Sequence, residues 1–112
     1  MNMKNWVQPG EHITVPAPAE VSGGEGVLVG AIFGVAQGDA DVGEPVVLVR
    51  RGVFELPKTS AQAWTAGAKV YWDAAGKLVT TTASGNTLIG AAVEVAANPS
   101  ASGIVLLDGA IR

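Results

Sequence analysis

The sequence predicts an all-β fold, a small antiparallel β-barrel or sandwich with at most one or two short helical turns. Fifteen glycines and six prolines interrupt the chain. The longest stretch free of both is Lys58 to Ala66, nine residues, which leaves no room for a long helix. Between the breaks lie short runs rich in β-branched residues, spaced like the strands of a sandwich or barrel. At 112 residues the chain is the size of one domain, large enough for a modest core.

The elements follow in chain order. Residues 1–10, broken at Pro9-Gly10, read as a flexible N-terminal arm, leaving 11–112 as a single β-rich domain. The strand candidates begin with "HITV" (12–15), followed by the loop "APAEVSGGEG" (17–26). Then come "GVLVGAIFGVA" (26–36) and "PVVLVRRGVFEL" (45–56). "SAQAWTAG" (60–67) offers Ser60 as a helix N-cap and Gly67 as a stop, so the helical turns belong there. "VYWDAAGKLV" (70–79) reads as a hairpin, joining "AKVYWD" (68–73) to "KLVTTT" (77–82), with turn chemistry from Asp73 and Gly76. In "TLIGAAVEVA" (87–96), alternation puts Ile89, Ala91, Val93 and Val95 on one face and Glu94 on the other. "GIVLLDG" (103–109) is the last strand candidate.

Composition narrows the function. The formal charge is −3 and the one adjacent basic pair is Arg50-Arg51, so no basic stripe is present to neutralise a row of phosphates, and nucleic acid is not expected as a ligand. Without cysteine there is no disulfide, thiolate metal site or cysteine nucleophile. The start lacks the apolar segment of a secretory signal and no apolar run is long enough to span a bilayer, so a soluble protein without membrane contact is expected. Charged residues make up 15% of the chain and hydrophobic residues 48%, many of them alanine and valine. A small domain of this composition leans on partner contacts, and self-association is expected.

Several stretches imitate chemical motifs. "GVFELPKTS" (52–60) matches the phosphate-loop pattern G-x-x-x-x-G-K-[ST] except that Pro57 stands where the second glycine belongs. Proline removes one of the N–H groups that would cradle phosphate, and a chain without crossover helices cannot supply the parallel sheet around such a loop. In "GGEGVLVG" (23–30), Val29 occupies a position where the dinucleotide fingerprint needs glycine. "DADVGE" brings Asp39, Asp41 and Glu44 together without the full ligand set of a calcium loop. His12, the single histidine, lacks a G-x-S-x-G serine to serve. No catalytic, cofactor or metal residue is assigned, and no enzyme activity is expected. Trp6, Trp64, Tyr71 and Trp72 remain as large anchors for a core or a contact surface.

The order of pieces "QPGEHITVPAPAEVSGGEGVLVGAIFGVA", "GVFELPK", "AWTAGAKVYWD", "NTLIGAAVEVA" and "VLLDG", from Gln8 to Gly109, resembles a family of small tailed-phage and prophage proteins often labelled RecA/RadA-like phage recombinases. Members of that family resemble capsid decoration, or cement, proteins built like the β-rich head-decoration protein of phage lambda. The resemblance implies a virion component made in the bacterial host cytoplasm. Its partners would be the major capsid protein and its own copies, gathered as homo-oligomers, often trimers, on the outside of the expanded head. The contact residues expected from side-chain physics are Trp6 and Val7 on the arm, then Trp64, Tyr71 and Trp72. Two other readings compete: a recombination-associated ATP-binding protein, resting on residues 52–60 alone, and a β-rich surface- or glycan-binding module.

Overall fold

A computed structural model describes residues 4–111. The strands are β1 (His12–Pro16), β2 (Gly26–Val29), β3 (Ile32–Ala36), β4 (Pro45–Val49), β5 (Arg51–Pro57), β6 (Lys69–Asp73), β7 (Leu78–Thr80), β8 (Thr87–Ala92) and β9 (Ser102–Asp108). The fold is all-β and sandwich-like, built from two antiparallel sheets in the orders β1-β4-β3-β2 and β5-β9-β8-β6-β7.

The seven apolar runs of the sequence become nine strands because two of them break. "GVLVGAIFGVA" turns back on itself after Val29, with Gly30 at φ 60°, a left-handed conformation that glycine adopts without Cβ strain. "PVVLVRRGVFEL" passes from one sheet to the other at Arg50, whose side chain donates to Gly10 O at 2.6 Å and to Gly109 O. The hairpin at Asp73 forms as its sequence predicts: Asp73 Oδ1 accepts from the N–H of Ala75 (3.1 Å) and of Gly76 (3.2 Å).

Among the described residues there is no helix. Segment 60–67 runs instead as an irregular crossing, because Trp64 exchanges backbone bonds with Ala96 (2.9 and 3.1 Å) and sinks its indole to 1% exposure. Burial of that side chain overrides the local capping signals. A second departure lies in β8. Tyr71 faces Leu88 while Val70 faces Gly90, which leaves Ile89 as the extra residue of a bulge. The bulge breaks the strict alternation expected for this run. Ile89 and Ala92 are buried, Ala91 lies opposite Lys69 and Leu106, and Val93 and Val95 are exposed.

Two apolar clusters follow from the strand faces. The first packs Leu56, Trp64, Val70, Trp72, Val79, Ile89, Val105 and Leu107 of the five-stranded half against Leu28, Phe33 and Val35 of the four-stranded sheet. The second lies on the other face of the four-stranded sheet, where Val27, Ala36, Val46 and Leu48 meet Ala17, Val21 and Ala40. Both indoles of the first cluster need glycine beside them. A Cβ on Gly26 would stand 2.8 Å from the Trp72 ring, and one on Gly103 would stand 2.3 Å from the Trp64 ring.

Gly103→Ala is therefore expected to destabilise the fold by about 1–3 kcal/mol, the usual range for overpacking. The readout is a lower urea midpoint with an unchanged slope.

Candidate contact surfaces and the buried Lys58

The phosphate-loop imitation resolves into a strand and its lock. Residues 52–57 belong to β5 and pair with β9 from Gly52↔Leu107 to Pro57↔Ser102. Just beyond, Lys58 forms a parallel bridge with Val79 of β7, so the five-stranded sheet curls until its two ends touch at one point without closing a barrel. The Lys58 N–H donates to Ala101 O (3.0 Å) and the Thr59 N–H to Val79 O (3.0 Å). The Lys58 side chain is 2% exposed. Its Nζ donates to Thr59 O at 2.8 Å and to Gln62 O, and stands 5.5 Å from the centre of the Trp64 ring. Both the amides and the ammonium that a phosphate would need are thus committed to the protein interior.

The remaining motif imitations are turns. Asp39 Oδ1 accepts from Gly23 N–H (2.8 Å) and Glu44 Oε1 from Asp41 N–H (3.1 Å), so these carboxylates organise the two loops. No group of three or more His, Asp or Glu that could hold a metal is found among the described residues. His12 opens β1 as an exposed strand-end residue.

The five residues expected as contacts separate into three environments. Trp64 and Trp72 are 1% and 3% exposed and belong to the core of the chain, the first of the two roles their size allowed. Large size, their only signal in the sequence, serves burial as well as binding. Trp6 and Val7 are 62% and 88% exposed on the segment leading into β1. Met1, Asn2 and Met3 of the expected arm lie outside the described residues. Tyr71 sits half-buried on the outer face of the five-stranded sheet.

That outer face carries apolar residues that sequence reasoning missed. Cross-strand partners share a face, so one row runs Val53, Leu106, Ala91, Lys69 across β5, β9, β8 and β6. A neighbouring row runs Glu55, Ile104 and then Val93, whose N–H donates to Ile104 O (3.0 Å). Val53, Leu106 and Val93 are 57%, 46% and 42% exposed. A signal was present in "GIVLLD", where apolar residues occupy both phases of the strand, so one of its faces had to be apolar wherever the other was buried.

This is a small β protein whose distinctive features are surfaces: exposed Trp6 and Val7 ahead of β1 and an apolar sheet face. A family model described as phage cement protein matches residues 7–107, and the chain belongs to that family. Comparison with curated proteins and with solved structures gives no match. Membership supports a structural role as capsid cement. The RecA/RadA-like label finds no support, and the burial of Lys58 removes the residue on which an ATP reading rests.

Lys58→Ala is expected to lower stability by about 1.5–3 kcal/mol, because two carbonyls lose a charged donor inside the protein. Thermal unfolding with and without ATP tests both halves of the reading: a lower melting temperature for the variant, and no shift by nucleotide in the parent protein.

Proposed function

We propose that this protein decorates the outside of the expanded phage head and stabilises it by bridging neighbouring major capsid subunits, as a homotrimer made in the host cytoplasm. The observation that carries the reading is the phage cement match over residues 7–107, nearly the whole chain. The exposed Trp6 and Val7 supply the physical means.

The base of the arm is held to the body. Gly10 O accepts from Arg50 Nη1, Glu11 pairs with Arg51 at 3.1 Å, and Gln8 Nε2 donates to His12 O at 3.1 Å. An arm with a fixed root and exposed apolar side chains suits addition as a strand to an edge of the shell, its backbone supplying hydrogen bonds while Trp6 and Val7 fill pockets. Each bound copy then favours the closed shell over separated subunits, and repetition over a symmetric lattice multiplies weak contacts. Tyr71 is a further contact residue on this reading.

The test mixes purified protein with expanded capsids of the same phage, maturation having been verified, and measures co-sedimentation. Association is expected. Trp6→Ala should weaken it by about 2 kcal/mol, roughly 30-fold, as for a buried aromatic anchor. Because Trp6 lies outside both apolar clusters, its melting temperature should match the parent's. Failure of the parent protein to bind such capsids would sink the proposal.

A further inference from the structure

We infer that the outer face of the five-stranded sheet is the surface through which copies of this chain associate. The inference rests on the reading of the chain as a repeating shell component, and the side chains of the face say what should cover it. Its centre is apolar, with Val53, Leu106 and Val93 exposed and Ile104 and Ala91 between them. A contiguous apolar patch bordered by polar groups marks a binding site on a soluble protein.

Charge selects the occupant. At one end of the face Arg51 pairs with Glu11 at 3.1 Å, and Asp108, opposite Arg51 in the strand register, has an interaction of its own, so the charges at this end are already engaged. Two charges remain across the apolar centre. Glu55 stands on β5, its carboxylate held outward by Ser102 Oγ at 2.8 Å, and Lys69 stands on β6. They are three strand spacings apart, about 14 Å, too far to pair within one copy. No described residue pairs with the Lys69 ammonium.

A surface with an apolar middle, an anion on one side and a cation on the other is complementary to itself. Three copies that turn this face toward a common axis set the β5 side of each beside the β6 side of the next. Each Lys69 then meets the neighbour's Glu55, and the apolar centres are drawn together around the axis. The same arrangement closes without leaving an unpaired copy, which keeps association from running on into fibres.

Sedimentation velocity on the free full-length protein over a range of concentrations tests this apart from shell binding. An oligomer is expected for the parent protein and a monomer for Leu106→Glu, which puts a charge at the centre of the contact. Lys69→Glu and Glu55→Lys should each weaken association about tenfold, and the double reversal should restore it, a result that misfolding cannot mimic. A parent that stays monomeric at every concentration, an oligomer indifferent to Leu106→Glu, or a double reversal that restores nothing overturns the inference. So does a Leu106→Glu protein that self-associates normally but no longer binds expanded capsids, since the face would then belong to the shell. Capsid binding by a protein whose copies never associate would leave the cement reading standing without this face.

Discussion

The indole of Trp72 joins the two sheets, and the rest of the molecule is arranged around that contact. It rises from β6, lies over Gly26 of β2, and meets the ring of Phe33 with centroids 5.0 Å apart at a tilt of 50°. A tilted aromatic pair adds to the area it buries, because the electropositive edge of one ring meets the electronegative face of the other. The four-stranded sheet lends only part of one face to this contact and keeps its second apolar cluster on the opposite side. The molecule is elongated, 50 × 35 × 23 Å.

Lys58 plays the corresponding part within the five-stranded half. A curled sheet with free ends exposes unpaired backbone groups, and proteins either close such ends or cover them. Here the chain leaving β5 bridges to β7, the ammonium ties Thr59 and Gln62 carbonyls together, and the cation rests near the Trp64 ring. A residue that resembles the lysine of a phosphate loop in one-dimensional notation is, in three dimensions, the clasp of a β-sheet. The Trp64 Nε1–H has no acceptor among the described residues, and the backbone of Trp64 is bonded to that of Ala96.

A cement protein works by contact, and the distribution of side chains here fits that work. Several of its carboxylates fasten turns, as at Asp39, Glu44 and Asp73. Apolar side chains, by contrast, are exposed together on the segment entering β1 and on the outer face of the β5-β9-β8-β6 strands, besides single residues such as Val42, Val95 and Ile111. On the proposed reading one region holds copies together and the other holds the lattice, and each contact can be weak because their number makes the assembly durable.

Residues that act locally were legible in the sequence. Glycine and proline punctuation marked most strand limits, and Asp73 and Gly76 announced a hairpin, because φ preferences and short-range hydrogen bonds depend on neighbours in the chain. The phosphate-loop reading already failed at Pro57 for the same local reason. The fates of Trp64, Trp72, Lys58 and Ile89 were not legible, nor was the division of "PVVLVRRGVFEL" between two sheets. Those outcomes depend on pairings between distant segments, such as β5 with β9 and Trp64 with Ala96, and on a one-residue bulge that reverses which side chains face inward. Sequence alone thus determined that this would be a short-stranded β protein resembling phage cement proteins. Tertiary structure decided which of its large side chains were spent on the core and which were left facing outward, since burial is settled only when distant strands come together.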